Sequence, residues 1–190
     1  QREAVTAPDG PVLVLAGPGS GKTRVLTHRI AYLVAGKNIS PSQILAVTFT
    51  NKAARVMENR VNELIGFSHK GMMLGTFHSV CARILRREAQ YIGVTADFNI
   101  YDADDQENLV KRSLRELNID EKINRPSVVL SAISRAKNDM ISPDKIEVRS
   151  YRDQVVQKVF TLYQQLLLTC NALDFDDLLL KTAELLANYS

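Results

Sequence analysis

Residues 16–23 read Ala-Gly-Pro-Gly-Ser-Gly-Lys-Thr, and they stand between an apolar run and an amphipathic stretch. The run at 12–16 is Val12, Leu13, Val14, Leu15 and Ala16; it is short, aliphatic and β-branched, so it reads as a buried strand. The stretch that follows carries Leu26, Ile30, Leu33 and Val34 on one helical face and ends near Gly36. Strand, glycine-rich turn and helix in that order are the context a Walker A phosphate loop requires. Glycines let successive backbone N–H groups turn inward around phosphate oxygens, and a helix N-terminus adds partial positive charge. In this reading Gly17, Pro18, Gly19, Ser20 and Gly21 cradle the phosphates of ATP. Lys22 reaches the β- and γ-phosphates, and the Thr23 hydroxyl ligates Mg²⁺. The plainer alternative is a glycine-rich turn that only joins a strand to a helix.

The alternation continues. Residues 44–49, Ile-Leu-Ala-Val-Thr-Phe, read as a second strand. Asn51 can cap a helix whose apolar face is Ala53, Ala54, Met57, Val61, Leu64 and Ile65, with Gly66 as its stop. Met72, Met73 and Leu74 lead to Gly75, and a third helix carries Val80, Cys81, Ile84 and Leu85. Strand–helix alternation of this length predicts an α/β fold, a parallel sheet with helices on both faces. The second half changes character. Residues 98–101 form one more short strand, and helices follow at about 103–117, 127–138 and 151–170. The last has Val155, Val156, Val159, Phe160, Tyr163, Leu166 and Leu167 at helical spacing. A helical unit appended to, or inserted in, an α/β domain is the simplest arrangement.

With 190 residues, 45% hydrophobic and 24% charged, the chain is an ordinary globular sequence with room for a core that needs no metal or disulfide. No apolar run approaches the roughly 20 residues of a membrane span, so no membrane role is expected. Cys81 and Cys170 make no CxxC pair, and a cytoplasmic setting is the default. The chain begins at Gln1 rather than Met and stops in a helix-like run, as expected of a fragment. Charge is uneven. Residues 1–96 carry 12 basic and 5 acidic side chains, a net +7, while residues 97–190 carry 12 and 16, a net −4. A basic first half suits ATP or nucleic acid; chance clustering of solvated charge is the other explanation.

In open parallel sheets, ligands bind beyond the carboxyl ends of the strands. The second strand ends in Thr48-Phe49-Thr50-Asn51-Lys52, and the third in Gly75-Thr76-Phe77-His78-Ser79. Hydroxyls and helix N-termini suit phosphodiester oxygens, and an exposed Phe suits base stacking. The combination favours single-stranded nucleic acid beside a nucleotide site. The competing reading makes Phe49 and Phe77 core residues and the hydroxyls helix caps. At Asp174-Phe175-Asp176-Asp177 a metal site is conceivable; helix capping by Asp174, with Asp176 and Asp177 favouring the dipole, is plainer. Asp102, Asp104 and Asp105 read the same way. His28 and His69 have no partner at metal-ligand spacing, and Cys81 reads as core.

Taken in order, Gln1-Arg2-Glu3-Ala4-Val5, AGPGSGKTR at 16–24, AVTFTNKAA at 46–54, GTFHS at 75–79 and LDFDDLL at 173–179 resemble the UvrD/PcrA/Rep-type superfamily 1 DNA helicases. The resemblance runs the whole length of the chain, and the second and third motifs are its specific part. It implies an ATP-driven 3′-to-5′ translocase of two RecA-like domains with helical insertions. Residues 1–97 would begin the first RecA-like domain, 98–172 would form the helical insertion, and 173–190 would return toward the ATPase domain. By the same resemblance Gln1 reads adenine, and Arg24 lies near the nucleotide. Phe49 stacks on single-stranded DNA with Thr48, Thr50 and Asn51 near the backbone. Thr76, Phe77 and His78 form the next DNA contact, and Phe175 another. Expected partners are single-stranded DNA, its junctions with duplex, and repair or replication proteins, in a cytoplasmic, nucleoid-associated enzyme.

A Walker B strand, apolar residues followed by Asp-Glu, is not found in the chain, so the isolated piece is expected not to hydrolyse ATP at a helicase-like rate. A RecB- or AddA-like helicase–nuclease shares these early motifs. A non-catalytic, ATP-gated DNA-binding module and a P-loop kinase are further rivals, and the kinase leaves the Phe49 and Phe77 motifs unexplained.

Overall fold

A computed structural model of the chain describes residues 1–65 and 71–189; Gly66 and His69, singled out above, lie outside them. The chain divides into two compact units, residues 1–80 and 81–190.

In the first unit a short helix α1 (Arg2–Val5) precedes α2 (Lys22–Ala31), which continues into a wider turn, Tyr32–Gly36. Strand β1 (Leu45–Thr48), helix α3 (Asn51–Ile65), strand β2 (Met73–Thr76) and the start of α4 (Phe77–Arg87) follow. β1 and β2 pair in parallel, with Thr48 opposite Thr76. The core lies under α2 and α3, where Ile30, Val34, Met57, Val61 and Ile65 meet Ile44 and Met72. The expected face of α3 is therefore seen at Ala54, Met57, Val61 and Ile65, while Leu64 is exposed.

The expected strand at 12–16 is not one. Residues 11–17 have no regular structure, and Leu13 and Leu15 are 84% and 87% exposed. A strand apolar on both faces needs a ladder partner at its sides and cover above and below. Among the described residues the first unit offers only the β1–β2 pair, which does not extend to it. Nor does Asn51 cap α3. Asn51 is its first residue, and the Thr50 hydroxyl accepts from Ala53 N at 3.2 Å.

The second unit is mainly helical: α5 (Ala103–Glu116), α6 (Pro126–Asn138), α7 (Tyr151–Thr169) and α8 (Phe175–Asn188). β3 (Asn99–Tyr101) pairs in parallel with β4 (Ala172–Asp174), a strand not foreseen because three residues leave too short a pattern to read. The predicted face of α7 is buried in full and packs with Leu109, Val110 and Leu114 of α5 and Val129 and Ile133 of α6. A second cluster holds Cys81, Leu85, Phe98, Leu173, Leu178 and Leu185. The acidic segments are helix starts, as read. Asp102 with Asp105, and Asp174 with Asp177, form reciprocal capping boxes, and Ser150 caps α7.

Candidate functional site

The glycine-rich loop at 16–21 opens α2. Gly19 and Gly21 have φ of +73° and +85°, a left-handed backbone that side chains rarely adopt, which is why glycine is needed there. The loop closes on itself: Ser20 donates from its hydroxyl (2.7 Å) and its N–H (3.3 Å) to the Gly17 carbonyl. Lys22 Nζ donates to the carbonyls of Gly17 (2.7 Å) and Ala16 (3.3 Å). The ammonium is thus held over the loop before its helix, and Thr23 follows it in the first turn of α2. This donor set fits a polyphosphate: free amides at a helix start, one lysine and one hydroxyl. For a divalent cation the fit rests on Thr23 alone, since no group of three His, Cys, Asp or Glu gathers among the described residues.

Beside the loop lies a cleft of about 630 Å³ lined by Gly19, Gly21, Lys22, Thr23, Arg24 and, from α3, Arg60 and Glu63. A second, of about 260 Å³, is lined by Gln1, Arg2, Val5, Arg24, Val25 and His28. Gln1 therefore stands next to the phosphate loop, its Nε2 donating to the Ser20 carbonyl at 2.8 Å. Gln1 and Arg24, both picked from the sequence, share this second cleft. Arg60 and Glu63 were missed, because nothing in a solvated stretch of helix marks them.

The strand ends meet as well. Thr48 and Thr76 are register partners on β1 and β2, so the residues after them also come together. Phe49 and Phe77 have ring centroids 5.5 Å apart and are 91% and 41% exposed. They are not core residues. The hydroxyls nearby do serve as caps: Thr50 for α3, and Thr76 for α4 through Ser79 N at 3.2 Å. Thr48 Oγ1 donates to the Thr50 carbonyl at 3.1 Å. A hydroxyl that accepts from a backbone N–H still has a proton to donate. Asn51 is exposed at the first turn of α3, and His78 is half-buried at that of α4. Two helix N-termini and two aromatic faces therefore sit beyond the carboxyl ends of two adjacent strands.

Phe175 is 46% exposed in the second unit, between Asp174 and Asp177, which are both buried. Those carboxylates hold Lys137 rather than offering a metal cage: Nζ is 2.6 Å from Asp174 Oδ2 and 2.9 Å from Asp177 Oδ1. Tyr163 donates its hydroxyl to Asp174 Oδ2 at 2.9 Å. Burial and the Asp174 charge push the Tyr163 hydroxyl far above its ordinary value, so it remains a donor. Burial also pushes Asp177 up, against the pull of Lys137 and with the repulsion of Asp174. Lys137 was missed, although Val129, Ile133 and Lys137 recur every fourth residue on the buried stripe of α6.

The UvrD/REP helicase N-terminal domain profile matches residues 1–190. An ATP-dependent DNA helicase PcrA of Bacillus subtilis (strain 168) is 49% identical over 187 residues, 97% of this chain and 25% of that protein. The proteins of the same name from Staphylococcus aureus (strain Mu50) and Staphylococcus epidermidis are each 48% identical over 97% of this chain and 26% of their own length. The chain spans about a quarter of the length of these curated relatives.

Proposed function

The chain belongs to the UvrD/REP helicase N-terminal domain family, and on that premise we propose that it binds ATP and single-stranded DNA as part of a 3′-to-5′ DNA helicase. Residues 1–97 form the start of a RecA-like ATPase domain, 98–172 its helical insertion, and 173–190 the return toward that domain. The observation that supports this reading best lies in the first unit. A left-handed glycine loop opens α2, and an exposed Phe49–Phe77 pair stands past the ends of paired parallel strands.

Gly17, Gly19 and Gly21 direct backbone N–H groups at the phosphates, Pro18 and Ser20 complete the cradle, and Lys22 leaves the Ala16 and Gly17 carbonyls for the more negative phosphate oxygens. Thr23 supplies one oxygen to Mg²⁺, which when bound neutralises charge on the phosphates. Gln1 and Arg24 face the base and sugar side. Phe49 and Phe77 stack on unpaired bases, while Thr48, Thr50, Asn51, Thr76 and His78 lie toward the backbone; Phe175 adds a further base contact. Stacking tolerates any sequence because every base has a π-face, which suits a translocating enzyme. DNA-stimulated ATP hydrolysis and unwinding of a 3′-tailed duplex by the intact protein test the proposal. Lys22→Ala is expected to abolish hydrolysis, and Phe49→Ala to leave basal hydrolysis but lose its stimulation by DNA. Full DNA stimulation in Phe49→Ala would refute the DNA role of the strand ends.

A further inference from the structure

Gln1 can read a base only if something holds it still. Gln1 stands immediately before α1, Arg2–Val5. The segment is fastened at two points, one on the glycine-rich loop before α2 and one on α2 itself. At one end Gln1 Nε2 donates to the Ser20 carbonyl at 2.8 Å, so close to the loop that a methyl group on Gly21 would stand 2.9 Å from that nitrogen. At the other end Arg29 Nη1 donates to the carbonyls of Val5 (2.9 Å) and Ala7 (2.6 Å). These carbonyls lie at and just past the C-terminus of α1, where helix carbonyls lack partners and negative partial charge collects. Arg29 is eight residues beyond Gly21, about 12 Å along the helix, so the two fastenings are well separated.

The Arg29 side chain is itself steadied. It is 21% exposed, 4.0 Å from Asp9, which Lys37 also holds at 2.7 Å, and 5.9 Å from the centre of the Tyr32 ring. Between the two fastenings lies the cleft of about 260 Å³, with Val5 and Val25 as apolar walls and Gln1, Arg2, Arg24 and His28 as polar ones. The His28 ring pairs with the Arg24 carbonyl at 2.9 Å, which fixes its plane. Apolar walls with a few placed polar groups are what a flat heteroaromatic ring requires.

We infer that Arg29 is a positioning residue for base selection: by clamping the end of α1 it holds the Gln1 amide against the phosphate loop, where it discriminates adenine from guanine. The inference rests on the reading of Gln1 as the group that faces the base. Arg29 touches no nucleotide, and its effect reaches the base only through Gln1.

The test is equilibrium binding of ATP, GTP and inorganic tripolyphosphate to the intact protein, with Gln1→Ala, Arg29→Ala, Arg29→Gln and the Gln1→Ala/Arg29→Ala double variant. Gln1→Ala is expected to lower the preference for ATP over GTP by about five-fold or more, the worth of a hydrogen bond or two. Arg29→Ala should lower it nearly as far, Arg29→Gln less, and the double variant no further than Gln1→Ala alone. Tripolyphosphate affinity should stay within about two-fold throughout, since no phosphate contact is removed. Equal loss of all three ligands in both Arg29 variants would make Arg29 merely structural and overturn the inference. So would an Arg29→Ala protein that keeps the wild-type preference while Gln1→Ala loses it. If Gln1→Ala itself keeps the preference, the base-reading role of Gln1 fails, and the role of Arg29 goes with it.

Discussion

Lys137 Nζ stands 2.6 Å from Asp174 Oδ2, and both side chains are sealed from solvent. One ammonium thereby joins α6 to the β4–α8 elbow that carries Phe175, with Tyr163 of α7 donating to the same oxygen. Such a pair contributes little net stability when intact, because desolvation offsets the attraction, but breaking it strands the remaining charge.

Lys137→Met should therefore destabilise the chain by about 3–5 kcal/mol in urea unfolding, since it leaves two buried carboxylates without their cation. Asp174→Asn should be nearly as damaging. Asp174 serves Lys137, Tyr163 and the N–H of Asp177 at once. Asp177→Asn should cost less, because burial and Asp174 already disfavour the charge at that position. A Lys137→Met protein as stable as wild type would mean that the pair does not organise the elbow.

The pH dependence of this elbow has a definite sign. Asp177 is raised above 3.8 in the folded chain, so folding favours its protonated form. Its contribution to stability is present below the unfolded value and declines as pH rises through the folded value. Asp9, Asp97, Asp144 and Asp153 are lowered by exposed hydrogen bonds and neighbouring cations, and their contributions decline instead as pH falls. Urea midpoints of wild type and Asp177→Asn should isolate the first effect. Raising the pH from about 4 to about 7 should move their difference in favour of the variant. A difference independent of pH would mean that Asp177 binds protons equally in the folded and unfolded states, with no shift on folding.

What the sequence disclosed and what it hid follow from how local each signal is. The glycine-rich turn into α2, the faces of α3 and α7 and the aspartate caps depend on residues three or four apart, and they were legible. The run at 12–16 looked like a strand because its side chains suit one, but a strand is a relation between segments. Leu13 and Leu15 find no ladder among the described residues of their unit. β4 was hidden by its length, and Lys137 by the habit of assigning lysine to solvent. Phe49 and Phe77 were legible as motifs, yet their pairing needed the Thr48–Thr76 register. Arg29 gave no signal at all, since its partners are backbone carbonyls more than 20 residues away.

Gly21 is under two demands: its φ of +85° suits glycine, and a Cβ would stand 2.9 Å from Gln1 Nε2. Gly19, at φ +73°, has open space around it. Gly19→Ala should therefore cost about 1 kcal/mol or slightly more through backbone strain alone. Gly21→Ala should add displacement of Gln1, and so weaken ATP more than it weakens tripolyphosphate. Titrating each variant of the intact protein with both ligands checks this. Equal losses for the two ligands in Gly21→Ala would remove the link between loop and base.

The two phenylalanines should prove unequal. Phe49 is 91% exposed and Phe77 41%, so Phe49 presents nearly all of its ring while Phe77 backs it from the first turn of α4. Phe49→Ala should weaken binding of an oligothymidylate to the intact protein by about 1–3 kcal/mol, the usual worth of one stacked base. Phe77→Ala should weaken it less. The double variant should lose less than the sum, because rings whose centroids lie 5.5 Å apart support each other by about 0.5–1.5 kcal/mol. Fluorescence anisotropy of a labelled strand gives all four affinities. Strict additivity would mean that the rings act on the strand separately, and a larger loss at Phe77 would make the half-exposed ring the platform.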